Sequence, residues 1–273
     1  MKNRLCILLF ILFFCHGGVR VFAQCEVAEN KFFKPGELLT YDLYIKYGFL
    51  SSKAGYATLS TQRVQYNGDS AYKMSLVSHS TGVARKAFKL DDTLVCFMNH
   101  KLRPLAFWKD AHEGNEYTIE RQTYSYQPDG KIKIHARRVK NGEERHNVSL
   151  TASQCTYDMM SIIYYVRTLD YDSMRQGVKT NVVFISGKKK VNMEISYQGL
   201  EKIKANNGQS YHCHKLGLSI LDEAFTNQEE AMRVYITNDL NRMPVQIESK
   251  LKVGSSRAVL KNFAGLMNPI GTR

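Results

Sequence analysis

The 273-residue sequence lacks the local signatures of the common reaction types. It contains no Gly-x-Ser-x-Gly elbow, no His-Glu-x-x-His pair, no phosphate-binding loop and no dinucleotide fingerprint. The chemistries that depend on those local geometries therefore have no foothold in the sequence. A membrane-spanning run is missing too. The main apolar stretch, Leu5 to Phe14, covers ten residues, whereas a spanning helix needs about 20. Acidic residues are in deficit, 25 Asp and Glu against 38 Lys and Arg. Cysteines are few and far apart. The intervals of 71, 59 and 58 residues that separate Cys25, Cys96, Cys155 and Cys213 match neither a compact disulfide framework nor a zinc knuckle. There is no composition break, long linker or internal repeat.

What is present begins at the N-terminus. Lys2 and Arg4 precede the apolar stretch, and Val21-Phe22-Ala23 supplies the small-x-small pattern of a signal peptidase site. Residues 1–23 are expected to be a secretory signal peptide, cleaved before Gln24, and residues 24–273 a single exported domain. Acylation of Cys25 is the competing reading, and Gln24 is large for the residue before a lipidated cysteine. Cleavage leaves 250 residues with a net charge of +10, a balance that favours acidic partners. The densest basic clusters are Lys188-Lys189-Lys190 and Arg137-Arg138-Val139-Lys140. An oxidising compartment permits a disulfide, for which Cys155 with Cys213 is the favoured pairing.

Beyond the signal the pattern is β. Leu39–Tyr47, Tyr56–Val64 and Ala71–Val77 alternate with period two. Asn67-Gly68-Asp69, Pro128-Asp129-Gly130, Asn141-Gly142 and Asn206-Asn207-Gly208 supply hairpin turns. One segment differs: Met159, Ile162, Ile163 and Val166 share one helical face, so a helix is expected over Thr156–Asp170 with Thr156 as its cap. The expected fold is all-β and mainly antiparallel. It is a large curved sheet, a sandwich or an incomplete barrel, with one mid-chain helix packed on it. The 16 tyrosines and 13 phenylalanines suit cross-strand packing, and also a glycan or lipid platform.

Five short stretches carry a resemblance. They are Phe33-Lys34-Pro35-Gly36-Glu37-Leu38-Leu39-Thr40-Tyr41 with Gly55-Tyr56-Ala57-Thr58-Leu59, then Tyr157-Asp158-Met159-Met160-Ser161 with Tyr164-Tyr165-Val166-Arg167, and Asn238-Asp239-Leu240-Asn241-Arg242-Met243-Pro244-Val245. In order and spacing they resemble the exported bacterial family called domain of unknown function 3108, over residues 33 to 263. The resemblance implies a β-rich protein of the periplasm or outer envelope of a Gram-negative bacterium, and no reaction.

The residues leave two functional readings. The leading one is a non-catalytic binding or carrier protein whose concave face holds an envelope lipid, a glycan or a partner protein. Asp158, Ser161, Arg167, Asp239 and Arg242 are the candidate binding residues. The alternative is a lyase acting on an acidic polysaccharide, which needs a cation beside the substrate carboxylate and a base for the proton. Tyr124, Tyr126, His135 and Arg137, with Arg121, are the candidate catalytic residues. Strand parity already sets Arg121 against the two tyrosines. His212 and His214 share a strand face, yet no third or fourth ligand is identifiable, so no metal and no cofactor are expected. The carboxylate pairs Asp91-Asp92, Asp222-Glu223 and Glu229-Glu230 are expected in turns. Nucleic acid is not an expected partner, nor is the chain expected to be an integral membrane protein. Asp69-Ser70-Ala71, Asp92-Thr93-Leu94 and Asp172-Ser173-Met174 resemble the O-glycosylation signal of exported Bacteroidetes proteins, marking Ser70, Thr93 and Ser173.

Overall fold

The computed structural model describes residues 30–47, 50–221, 230–250 and 254–271. The expected signal peptide, Cys25, Asp222-Glu223 and Glu229 lie outside them. The strands are β1 (Leu38–Tyr47), β2 (Leu50–Tyr66), β3 (Asp69–Ser80), β4 (Leu90–Met98), β5 (Pro104–Glu113), β6 (Glu116–Tyr126), β7 (Ile132–Lys140) and β8 (Glu143–Ala152). They continue as β9 (Thr156–Tyr157), β10 (Lys179–Ser186), β11 (Lys189–Lys204), β12 (Ser210–Leu221), β13 (Glu230–Thr237), β14 (Pro244–Lys250) and β15 (Ser255–Ala264). Two short helices interrupt them, α1 (Gly82–Ala87) and α2 (Ser161–Val166).

All the strands form one sheet in the order β8-β7-β6-β5-β4-β3-β2-β1-β15-β14-β13-β12-β11-β10-β9. Neighbours are antiparallel except β9 and β10, which are parallel. The order follows from hairpins. Asn67-Gly68 and Asn141-Gly142 both hold positive φ, at 52° and 91° and at 51° and 82°, which two-residue hairpin turns require. The sheet curls until its ends nearly meet. Ile185 of β10 packs with Tyr124, Ile132, Ile134 and Ala152 of β6–β8, so side chains rather than a hydrogen-bond ladder close the seam. Full or near closure removes exposed edges. At Gly55 of β2 an added Cβ would run into the carbonyl oxygen of His79 on β3, so the two strands approach more closely than a side chain there would allow.

The interior is filled by the chain itself. Met160 and Tyr164 of the α2 segment join a core with Leu39, Tyr41, Leu59, Met74, Leu94 and Cys96. Ile162 and Val166 join a second core with Val182, Phe184, Met193, Ile195, Leu216 and Ile236. Each such apolar side chain contributes roughly 1.5–3 kcal/mol when buried.

Several expectations need correction. The helix is shorter than Thr156–Asp170, because Thr156 and Tyr157 pair with β10 instead. Its first turn is held by Asp158, whose Oδ1 accepts the amides of Met160 at 2.9 Å and Ser161 at 2.8 Å. Met159 is exposed and Met160 is buried, since a six-residue helix wedged between two cores does not follow a single-face pattern. The connection from β3 to β4 carries α1, which buries none of its residues and so leaves no apolar periodicity to read. Asp91 and Asp92 lie in β4, not in a turn, and Glu230 opens β13. Cys213 is a buried free thiol, like Cys96. Cys155 is disulfide-bonded, so the pairing of Cys155 with Cys213 does not hold. Among the described residues, no helix is long and apolar enough to cross a membrane.

Candidate functional site

The five candidate binding residues sit around α2: Arg167, Asp239 and Arg242 share one hydrogen-bonded anchor, and Asp158 and Ser161 cap the helix. Arg167, the residue after α2, is fully buried and forks onto Glu37, with Nη1–Oε1 at 2.6 Å and Nη2–Oε2 at 2.8 Å. Its Nη2 also donates to the carbonyls of Phe32 at 3.1 Å and Asn241 at 2.9 Å. Its guanidinium lies over Phe33, 4.9 Å from the ring centroid. Arg242 donates to the carbonyl of Leu169 at 2.6 Å and stacks on Tyr171 and Phe32. Asp239 Oδ1 accepts from Thr237 Oγ1 at 2.7 Å and from the amides of Asn241 and Arg242. The side chains of Asp239 and Arg242 thus turn to different partners, and the two residues meet through the Arg242 amide. Ser161 Oγ accepts the Asp158 amide at 2.8 Å, completing a reciprocal cap with Asp158. Burial lifts Asp158 to about 6, against the pull of those bonds. These groups fasten α2 inside the sheet and leave few free valences for a ligand, Asp158 Oδ2 and Arg167 Nε being the exceptions.

The candidate catalytic residues are divided between the two faces of β6 and β7. Tyr124 is buried with Gln122 and Glu120. Tyr124 donates to Gln122 Oε1 at 3.0 Å, Gln122 donates to Glu120 Oε1 at 2.9 Å, and Arg138 donates to Glu120 Oε2 at 2.6 Å. Tyr126 donates to the Pro104 carbonyl. Burial pushes both phenols above their ordinary range, which opposes a role as base. His135 and Arg137 are exposed on the other face, occupied by Asn147 at 2.7 Å and Glu144 at 2.7 Å. Arg121 pairs with Asp110. The sheet does not bring the tyrosines together with the histidine and arginines. Further along the same curled wall, burial and the neighbouring Glu113 carboxylate raise Asp92 to about 7, and Lys109 holds Glu113 at 2.8 Å.

The outward face of β6–β8 has a different character. Cross-strand registry places Thr123, His135 and Ser149 in one row and Ser125, Lys133 and Thr151 in the next. All six side chains are exposed. They floor a groove of about 800 Å³ whose wall includes Tyr66 and Leu105. Tyr66 stacks on Phe97 with centroids 4.6 Å apart, and Trp108 meets Phe97 edge-on at 4.7 Å. The groove therefore combines an aromatic ledge with a grid of hydroxyls, one imidazole and one ammonium. Of the candidate catalytic residues His135 belongs to these rows, whereas Tyr124 and Tyr126 have the opposite parity. The usable signal was the parity of Thr123 and Ser125, facing His135 and Lys133.

The remaining candidates do not cluster. His214 is buried, stacked on Tyr171 at 4.4 Å and bonded to Tyr197 at 3.2 Å, and burial lowers it to about 4. His212 is exposed. No group of three metal-ligating side chains occurs among the described residues. Ser70, Thr93 and Ser173 are all exposed.

The family described as Protein of unknown function (DUF3108) matches residues 40–261. Two solved structures match the chain, the first of them in fold. One is a β-barrel-like protein of domain of unknown function DUF1849 from Brucella abortus, 10% identical, covering 84% of this chain and 97% of that one with a TM-score of 0.60. The other, described as exported and with a YmcC-like fold, comes from Bacteroides fragilis. It is 11% identical and covers 86% of this chain and 99% of that one, with a TM-score of 0.36. No curated protein matches the chain.

Proposed function

The chain belongs to the DUF3108 family, and we propose that it is an exported, non-catalytic binding protein of the Gram-negative periplasm or outer envelope whose ligand is a glycan. One observation carries this reading. The groove over β6–β8 presents exposed hydroxyls in two registered rows beside an aromatic and aliphatic wall. Saccharides offer the matching surfaces, apolar ring faces flanked by hydroxyls that donate and accept. An interior lipid is less well supported, because the α2 segment packs into the concave side. The leader at residues 1–23 motivates the export.

Calorimetric titration with a panel of envelope and extracellular oligosaccharides tests the proposal. Wild type is expected to bind at least one of them. The exposed pair Thr123→Ala and Ser149→Ala, together, is expected to weaken binding several-fold with an unchanged circular dichroism spectrum. A wild-type protein that binds no saccharide, or a double variant that binds as tightly as wild type, overturns the reading.

A further inference from the structure

We propose, resting on that groove, that the glycan is anionic, and that its carboxylate or phosphate groups are held by the lysine-rich tip of the β10–β11 hairpin. The two densest basic clusters of the sequence meet here. Ser186 pairs with Lys189, leaving Gly187 and Lys188 as the turn. Gly187 has a φ of +59°, and a Cβ added there would lie 3.6 Å from His146 Cε1 and 3.8 Å from Arg138 Nη1. The tip thus rests across β7 and β8. Lys190 Nζ donates to the Thr151 carbonyl at 2.6 Å, and Thr151 lines the groove. The cationic tip and the hydroxyl grid are therefore contiguous across the seam.

The groove itself carries one exposed acid, Asp69, against Lys133, and the charge balance at the β10–β11 tip is positive. The acids within electrostatic range of His146 are Glu120 and Glu144. Arg138 engages the first at 2.6 Å and Arg137 the second at 2.7 Å. No acidic partner is found for Lys188, Lys189 or Lys133 among the described residues. Lys190 bonds a neutral carbonyl rather than a carboxylate. His146 reports the resulting field: burial, then Arg138 and Lys188, lower its affinity for a proton, and its Nε2 has no hydrogen-bond partner. His146 Nε2 is closed to solvent, so an anion held by Lys188 acts on the imidazole through its field and offsets the positive charges that lower its affinity for a proton. Lysine suits such a role as a mobile point charge for carboxylate or phosphate oxygens.

The test compares an oligogalacturonate with its methyl ester, which keeps the saccharide and removes the charge, and adds inorganic phosphate as a probe without sugar. Each is titrated into the full mature protein while the His146 ring resonances are followed by NMR. The acid form is expected to bind at least tenfold more tightly than the ester. That preference should shrink with added salt and vanish in the triple variant Lys188→Gln, Lys189→Gln, Lys190→Gln. Both the acid form and phosphate should move the His146 pKa upward. Equal binding of acid and ester, a preference that survives the triple variant, or an unmoved His146 overturns the proposal and leaves the neutral groove reading intact. If phosphate shifts His146 but neither oligomer nor any other glycan binds, the groove reading fails and the glycan with it. What would then remain is a simple anion site.

Discussion

Replacing Arg167 by Met should remove a large part of the folding stability. The side chain is fully buried, and its partner Glu37 is 1% exposed on its side chain. The change strands a carboxylate with no counter-charge, which costs about 3–5 kcal/mol for a buried pair broken on one side. It also takes a donor from the carbonyls of Phe32 and Asn241. Glu37→Gln should cost less, since the amide can still accept from the guanidinium. Arg167→Lys should fall between wild type and Met, because an ammonium cannot reproduce the planar fork. The double variant Glu37→Leu, Arg167→Met leaves no buried charge, so its cost should be well below the sum of the two single changes. Urea unfolding of all variants, read as midpoint and slope, measures these differences. An Arg167→Met protein within about 1 kcal/mol of wild type would refute the reasoning, given the cost expected for a lone buried charge. So would strict additivity in the Leu/Met cycle.

Asp92, buried and raised to about 7, binds its proton more tightly folded than unfolded. Stability should therefore fall as pH rises from about 4 to about 7, by up to roughly 4 kcal/mol for an unchanged neighbourhood. Asp92→Asn should flatten the upper part of that fall, and an unaltered pH profile of thermal unfolding would count against the assignment. His214, lowered to about 4, acts in the opposite sense. Its contribution is lost as pH drops from its unfolded value through the folded one, and His214→Gln should reduce that loss. Ser161→Ala removes half of the reciprocal cap and should cost about 1 kcal/mol in urea unfolding, with no effect on glycan binding. Gly55→Ala forces β2 away from the His79 carbonyl and should lower the melting temperature more than Gly208→Ala, where the added Cβ meets open space and the cost is confined to the left-handed φ of +84°. Equal shifts for both would contradict the close approach of β2 and β3.

Strand pattern and turn chemistry made the fold class legible. Alternation marked β1, β2 and β3, and Asn-Gly pairs marked hairpins whose positive φ values the backbone adopts. The faces of β6 were harder to read, for a physical reason. Glu120, Gln122 and Tyr124 are polar and yet buried, because each satisfies the next in a chain that ends on Arg138. A buried polar run with its hydrogen bonds made internally looks, in sequence, like a solvated face. The opposite parity, Thr123 and Ser125, looks equally polar and is the side that meets solvent. Hydropathy cannot rank two polar sets. Only the curl of the sheet decides which one is enclosed.

The anchor around α2 shows the same limit from another side. Glu37 and Arg167 are 130 residues apart, and Arg167 and Asn241 are 74 apart. Each belongs to a short stretch that carries the family resemblance, and nothing local says that the three meet. They meet because α2 must be held between two cores, and a planar guanidinium can satisfy a carboxylate and two carbonyls at once. Phe33, Met160, Tyr164 and Met243, from the same stretches, pack in one core around it. The residues that carry the resemblance are thus those that seat a helix inside a curled sheet, whereas the outward groove draws its hydroxyls from β6 and β8 and its imidazole and ammonium from β7, outside all of those stretches. That division places the search for a ligand on the outer strands rather than at the motif residues.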